Sequence, residues 1–245
     1  MIKTAIQLKA KIRNISGSDS KVAMTMIRVF FMERFLERVS ISAYKNQFVL
    51  KGGMLVSSLI GLNSRATMDI DATVQALPLT QEEIEKIVNE IGGIPLEDNV
   101  SFEIKSIEAI MDEFDYPGVR VHMEGKLDNL KQPIKIDIST DDVITPRAVE
   151  YGYQLMFEDR DIELQSYNIE TLLAEKLQFG STFSTGFIDV CFEFAFCGVH
   201  LTKTCKNFIS AFIEVLGDVV LDVLYHGLSF GRFGVRILKF AAFLK

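Results

Sequence analysis

The most regular hydrophobic pattern in the chain lies between Thr80 and Gly93. Thr80 and Glu83 have the spacing of a capping box, which begins a helix by pairing its free backbone amides. Glycines at positions 92 and 93 are typical of the end of a helix. The pattern therefore predicts an amphipathic helix with one apolar face. That face consists of Ile84, Ile87, Val88 and Ile91.

Three other segments carry apolar residues near helical spacing, and they span 22–39, 54–62 and 169–177. The first is a long amphipathic pattern, the second is almost wholly apolar, and the third has leucines on one side. We predict a helix in each, and the second should be buried. In the first helix the charged residues are expected to face water. These residues are Glu33, Arg34, Glu37 and Arg38.

Alternating apolar and polar residues predict strands at 101–107, 119–123 and 133–139. In the last of these, the isoleucines at 134, 136 and 138 would face the core, and the intervening polar residues the other side. Two further strands are predicted at 47–50 and 68–74. Strands and helices in this order favour an α+β fold, with a mixed sheet and helices packed against it.

Composition narrows the class of protein. The apolar fraction of 48% supports a substantial core, and a formal charge of −7 argues against coating nucleic acid by bulk electrostatics. The sequence contains no run of 18 or more apolar residues, so we predict no membrane span. Met1–Gln7 lacks the apolar segment and the cleavage site of a secretion signal. The three cysteines lack metal-type spacing. We therefore expect a cytoplasmic protein with free thiols and no membrane partner.

Candidate chemistry lies between residues 51 and 74, where a glycine pair, a short helix and two aspartates follow one another. Asp69 and Asp71 would share one face of a strand, about 7 Å apart. Asp137, on the polar face of another strand, could add a third carboxylate. Three such oxygen ligands suit Mg²⁺, which shares its shell with water and substrate phosphates. Gly52 and Gly53 would offer backbone amides and a helix N-terminus to a phosphate.

Each part has a plainer interpretation when it is taken alone. An Asp-x-Asp strand is usually a solvated edge, and a glycine pair is usually a turn. His122 is expected to be a surface histidine, and single arginines such as Arg65 and Arg120 could contact phosphates or RNA. The lysines near these elements could supply local positive potential, and they are Lys45, Lys51 and Lys135. The order of the parts is more specific and predicts a phosphoryl- or nucleotidyl-transfer site.

The chain resembles the AbiEii/AbiGii group of nucleotidyltransferase toxins, from type IV toxin–antitoxin and abortive-infection systems. The resemblance covers about residues 1–178. It depends on four short stretches, which are "FVLKGGML" (48–55), "TMDIDATV" (67–74), "IKIDIST" (134–140) and "ETLLAEKL" (170–177). It implies a polymerase-β-like nucleotidyltransferase core followed by a helical C-terminal part.

The resemblance also implies roles for individual residues. Lys51, Gly52 and Gly53 would bind the triphosphate of an NTP, with GTP or CTP as possible substrates. Asp69 and Asp71 would bind the metal, with Asp137 as third carboxylate and helper in deprotonating the attacking hydroxyl. Lys176 would contact phosphates, although an exposed helix lysine is more often just a solvated charge. Some relatives modify tRNA, and the group as a whole implies a cognate antitoxin and a role in phage defence.

After Leu177 the chain departs from the family pattern, and the charged helix with its second Asp-containing motif is missing. Residues 179–245 contain 12 of the 19 phenylalanines and all three cysteines, but only 11 of the 59 charged residues. We therefore divide the chain into a nucleotidyltransferase-like domain, 1–178, and an apolar segment, 179–245. A shift of reading frame near residue 177 would explain the segment. The alternative is a genuine apolar helical tail that packs on the core or on a partner.

Three functions are compatible with the sequence. The first is an NTP-dependent nucleotidyltransferase toxin that uses Mg²⁺. The second is a catalytically dead remnant that still binds nucleotide or antitoxin. The third is a metal-dependent phosphohydrolase with water as acceptor. The order of the glycine pair and the aspartates favours the first two, because nucleotide transfer needs a triphosphate cradle.

Overall fold

The computed structural model describes residues 1–60, 69–76, 80–111, 117–140 and 142–179. The chain divides into two compact units, Met1–Asn168 and Ile169–Lys245. Within the described part of the first unit, four helices accompany seven strands. The helices are α1 (Ala5–Ser16), α2 (Ser20–Ile41), α3 (Gly52–Ile60) and α4 (Gln81–Gly92). The strands are β1 (Phe48–Lys51), β2 (Ile70–Val74), β3 (Ser101–Met111), β4 (Pro117–Leu127), β5 (Leu130–Thr140), β6 (Val149–Gln154) and β7 (Asp161–Ser166).

The seven strands form one sheet in the order β3-β4-β5-β2-β1-β7-β6. The β2/β5 and β1/β7 pairs are parallel, and the other neighbours are antiparallel. The predicted α+β class with a mixed sheet is therefore confirmed. The parallel β2/β5 pair matters most for the candidate site. It places β2, the strand that follows the glycine pair, beside β5, which comes more than fifty residues later in the chain.

The two faces of the sheet differ in character. Ile136 and Ile138 are buried on one face, and on the same side Gly125 of β4 lies under the ring of Phe31 from α2. A Cβ added at Gly125 would come within 2.4 Å of that ring, so glycine lets the helix approach the sheet. The opposite face carries Asp71 and Asp137, which alternate with the buried residues.

The prediction that the charged residues of α2 face water was wrong. Glu33 and Arg34 are each 1% exposed, Arg38 is 2% exposed and Glu37 is 5% exposed. The helical period that marks them as polar is real, but the β6–β7 connection and the segment before β3 cover this side of α2. Charges survive such burial only when they are paired and hydrogen-bonded.

Arg38 shows how this pairing is achieved. Its guanidinium donates to both carboxylate oxygens of the fully buried Asp98, at 2.8 and 3.0 Å. It also donates to the carbonyls of Arg34, Ile94 and Val100. These bonds tie α2 to the segment between α4 and β3.

A second buried group ties α2 to the β6–β7 connection. Both carboxylate oxygens of Glu33 accept from the backbone amide of Met156, at 3.0 and 3.2 Å. Burial raises the pKa of Glu33 to about 8, although the Met156 amide and Arg34 oppose the rise. Beside it, Arg160 pairs with Glu37 at 2.7 Å and with Glu158 at 2.7 Å.

The helix predicted after Thr80 is confirmed as α4, and the Thr80 hydroxyl accepts from the Glu83 amide at 3.2 Å. The other predicted helices and strands of the first unit are also present, with bounds that shift by a few residues. Strand β2 begins at Ile70, so Asp69 immediately precedes it. Helix α1 and strands β6 and β7 were not predicted, because the pattern there is weaker.

The predicted helix 169–177 is present as α5 (Ile169–Phe179), in the second unit. The predicted departure of residues 179–245 from the family falls almost wholly outside the described residues, as does Arg65. Across the described ranges, no helix is both long enough and apolar enough to cross a membrane.

Candidate functional site

A row of charged residues crosses the polar face of the sheet. Strand pairing aligns Lys51 of β1 with Asp71 of β2, Asp71 with Asp137 of β5, and Asp137 with Arg120 of β4. Arg120 is in turn aligned with Glu108 of β3. Register partners point to the same face of a sheet, so five adjacent strands place these side chains side by side.

Asp71 is held at the start of α3. Its Oδ2 accepts from the Gly53 backbone amide at 3.1 Å, one of the amides in the first helical turn that lack a partner within the helix. Gly52 has a φ of +66°, and a Cβ added there would lie 2.0 Å from Asp71 Oδ2. Glycine is therefore required twice at position 52, for its backbone conformation and for the approach of Asp71.

Asp69 lies two residues earlier and has a looser environment. Its Oδ1 is buried and has no hydrogen-bond partner among the described residues. The Lys135 ammonium lies 3.4 Å from this oxygen, which is an ion pair without a hydrogen bond. A buried carboxylate oxygen that has an ion pair but no hydrogen bond is available to a further positive ligand.

Asp137 has a much tighter partner. Arg120 donates from Nε to Oδ1 at 2.8 Å and from Nη2 to Oδ2 at 2.7 Å, which is a bidentate ion pair. The hydrogen bonds that Arg120 donates to Asp137 raise the pKa of the guanidinium further, so it stays charged. Glu108 Oε1, at the outer end of the row, lies 2.8 Å from His122 Nε2.

Lys51, at the other end of the row, is anchored by Asp142. Asp142 Oδ2 accepts from Lys51 Nζ at 2.6 Å, from the Tyr167 hydroxyl at 2.6 Å and from Ser139 Oγ at 2.9 Å. Burial opposes ionisation of Asp142, but the bonds from Lys51 and Tyr167 outweigh it and hold its pKa below the usual value. The Lys51 ammonium also lies 5.8 Å from the centre of the Tyr167 ring.

The donor set suits a hard divalent cation in part. Asp69 and Asp71 are carboxylates on the same face, and the buried Asp69 Oδ1 lacks a hydrogen bond. Within the part of the chain that the structure describes, no three His, Cys, Asp or Glu side chains form a ready-made cluster for a metal ion. Arg120 donates one hydrogen bond to each oxygen of Asp137, so a cation at this third carboxylate would share these oxygens with the guanidinium and meet its positive charge.

The structure thus brings together six of the seven residues that the sequence singled out: Lys51, Gly52, Gly53, Asp69, Asp71 and Asp137. The seventh, Lys176, falls within α5, but its side chain lies outside the described part, so its contact with phosphates stays a prediction. Lys45 is not part of the group, because it pairs with Glu163 at 3.0 Å.

Sequence reasoning missed the importance of Arg120 and Asp142. Arg120 could have been found by placing a tight turn at residues 128–129, because a hairpin closed there pairs position 120 with position 137. Asp142 lies in a segment without a regular pattern, and no signal in the sequence connects it to Lys51.

The chain matches one protein family by sequence and two solved structures by fold search. Residues 34–179, more than half of the chain, match the family described as nucleotidyl transferase AbiEii toxin, type IV TA system. Among curated proteins no sequence matches the chain. The solved structure of JHP933 from Helicobacter pylori has 16% identity and a TM-score of 0.43, with 90% of each chain covered. A second H. pylori protein, provisionally assigned as a nucleotidyltransferase, has 16% identity and a TM-score of 0.39, with 87% of this chain and 90% of that chain covered.

Proposed function

Because the chain belongs to the AbiEii nucleotidyl transferase toxin family of type IV toxin–antitoxin systems, we propose that it transfers a nucleotide from an NTP to an acceptor such as tRNA, with Mg²⁺ bound by its aspartates. Membership in the family implies an antitoxin partner and a nucleotide substrate. We propose further that the protein acts in the cytoplasm, in defence against phage. GTP and CTP are the substrates to test first.

The observation that carries this proposal is the position of Asp71. Its carboxylate is fixed against the Gly52–Gly53 turn by the Gly53 amide, and Asp137 is its register partner on the next strand. A triphosphate at the start of α3 would therefore lie beside the metal-binding carboxylates. Nucleotidyl transfer needs this juxtaposition, because catalysis depends on positioning and on charge stabilisation.

The residues of the row then have distinct tasks. Asp69 and Asp71 would hold the metal, which would neutralise charge on the phosphates. Lys51 and the first-turn amides of α3 other than that of Gly53, which holds Asp71, would bind the β- and γ-phosphates. The acceptor hydroxyl oxygen would attack the α-phosphorus, the bond to the bridging oxygen would break, and pyrophosphate would leave. An oxygen of Asp137 would take the hydroxyl proton.

The test is label transfer from each of the four α-³²P-labelled NTPs to total tRNA, with and without Mg²⁺. We expect a labelled product only with Mg²⁺, and its loss in Asp71→Asn. Asp161→Asn, an exposed aspartate of β7, is the matched control and should retain activity. Phosphate release that needs no acceptor would instead favour hydrolysis. Absence of both reactions, with correctly folded protein, would contradict a transferase.

One observation favours a second candidate, a catalytically silent protein that still binds nucleotide. Arg120 occupies both oxygens of Asp137, which the reaction needs as a base. Such a protein would be stabilised by NTP against thermal unfolding in an Asp71-dependent way, with no label transferred. The two candidates are therefore separated by measuring thermal shift and label transfer on the same preparation.

A further inference from the structure

The row of charges contains a conflict that the proposed function does not resolve. Asp137 is needed as the third carboxylate, but both of its oxygens accept hydrogen bonds from Arg120. Asp69, by comparison, has one buried oxygen without a hydrogen bond. Asp69 is therefore more available to a cation than Asp137.

The described charges around the site also favour a cation. Among the described residues of the row and its immediate neighbours, five carboxylates face three cationic side chains. The groups are Glu108, Asp137, Asp71, Asp69 and Asp142 against Arg120, Lys135 and Lys51. A cation bound at Asp69 and Asp71 would repel the nearby guanidinium and weaken its hold on Asp137.

We propose that Arg120 is an exchangeable counter-ion, which binds Asp137 in the free protein and moves to the triphosphate when metal and nucleotide arrive together. This inference rests on the proposed function and assigns Arg120 as a nucleotide-positioning residue. The guanidinium has the fork geometry to bind phosphate as well as carboxylate. It is 32% exposed, so it can leave Asp137 without unfolding β4.

The exchange couples the two ligands of the site. Metal alone meets the positive charge of Arg120 beside Asp137 and therefore binds more weakly than it would without the guanidinium. When a nucleotide is present, its phosphates receive the guanidinium and this repulsion ends. By linkage, metal must then strengthen nucleotide binding by the same factor. The free toxin is thus protected from taking up a divalent cation before its substrate.

The experiment measures protein-bound Mn²⁺ by electron paramagnetic resonance on the full chain, with and without an equimolar mixture of the four α,β-methylene NTPs, after subtraction of the Mn²⁺ that the same nucleotides bind without protein. We expect the nucleotides to strengthen Mn²⁺ binding to the wild type. In Arg120→Gln, we expect Mn²⁺ alone to bind about fivefold more tightly, which corresponds to ~1 kcal/mol for a partly exposed ion pair. The strengthening by nucleotide should be largely lost in this variant.

Lys135→Gln is the matched control. It removes one positive charge near Asp69 but breaks no hydrogen bond, since Lys135 lies 3.4 Å away as an ion pair only. An equal gain of Mn²⁺ affinity in both variants would mean a general effect of charge and would overturn the inference. Arg120→Lys keeps the charge and loses the fork. It should lie between wild type and Arg120→Gln, which tests the inference again if the glutamine variant folds poorly.

The failure of this inference can be told apart from the failure of the proposed function. If Asp71→Asn abolishes Mn²⁺ binding but Arg120→Gln leaves it unchanged or weaker, the metal site stands and the exchange is wrong. If neither wild type nor Arg120→Gln binds Mn²⁺, with or without nucleotide, both are wrong.

Discussion

Gly52→Ala offers the sharpest test of how the site is built, because it moves Asp71 without removing any charge. The added methyl carbon would lie 2.0 Å from Asp71 Oδ2, whereas ordinary contact begins at 3.4 Å. The carboxylate must therefore retreat by about 1.4 Å, or α3 must shift by a similar amount. Either movement separates Asp71 from the Gly53 amide that holds it.

The expected magnitude follows from two contributions. Alanine at a φ of +66° is strained by ~1 kcal/mol, and a lost hydrogen bond to a carboxylate costs ~1.5 kcal/mol. We therefore expect a loss of about 2.5 kcal/mol in the free energy of unfolding. A displacement of about 1 Å in a reacting group typically reduces the rate about 100-fold. Mn²⁺ affinity should fall as well, because Asp71 is a proposed ligand.

Gly17→Ala is the control. Gly17 ends α1 with a φ of +58°, but nothing lies within 4 Å of an added Cβ. The ψ of −118° places Gly17 outside the left-handed helical region, so alanine there should cost ~1–3 kcal/mol of backbone strain, whereas Mn²⁺ affinity should stay at the wild-type value. Urea unfolding, Mn²⁺ titration and label transfer are measured on both variants. If Gly52→Ala binds Mn²⁺ like wild type, as Gly17→Ala should, Asp71 is not seated as described.

Three further predictions concern the core. Asp98→Ala should lower the free energy of unfolding, measured by urea titration, by ~3 kcal/mol or more, because it leaves the Arg38 charge buried without its carboxylate partner. Glu97→Ala, at the exposed neighbouring residue, should change it little. The pKa of Glu33 is about 8 in the folded protein and 4.5 in the unfolded chain, so folding takes up a proton between these values. The free energy of unfolding should therefore fall as the pH rises from 5 to 7.5. The fall should be at most ~1.4 kcal/mol per pH unit in the wild type and absent in urea titrations of Glu33→Gln. An equal pH slope in the wild type and in Glu33→Gln would refute the raised pKa of Glu33. Gly125→Ala should lower the melting temperature, since its methyl group would lie 2.4 Å from a phenylalanine ring of α2, and an unchanged melting temperature would show that the helix gives way easily.

The elements with strong periodicity were predicted well from sequence. The segment from Thr80 to Gly93 carries its own start signal, apolar face and stop signal, and it folds as α4. Alternation in 133–139 likewise predicted which face of β5 is buried. In such segments the local pattern and the tertiary environment agree, so one sequence is sufficient.

Glu33, Arg34, Glu37 and Arg38 show where periodicity alone fails. A charged face on a helix is compatible with water or with a set of buried partners, and the helix itself does not distinguish them. The partners of Arg38 and Glu33 come from Asp98 and Met156, more than fifty residues away. Only tertiary structure brings such groups together.

The candidate site was predicted as a set of residues but not as an arrangement. The glycine pair and the aspartates were identified by type and order, and strand register then aligned Asp71 with Asp137. The pairing of Asp137 with Arg120 depends on the position of the hairpin turn, and the anchoring of Lys51 depends on an irregular segment around Asp142. Neither follows from residue type alone.

The parallel pairing of β2 with β5 has a consequence for the order in which the protein folds during synthesis. Asp71 and Asp137 are 66 positions apart, and β3, β4 and β5 form a local meander before β5 can join β2. Contacts between distant segments form slowly, after local hairpins. A nascent toxin that has emerged only as far as β4 therefore has its glycine turn and first aspartates but no third carboxylate. We expect the candidate site to be complete only once β5 has left the ribosome and paired with β2.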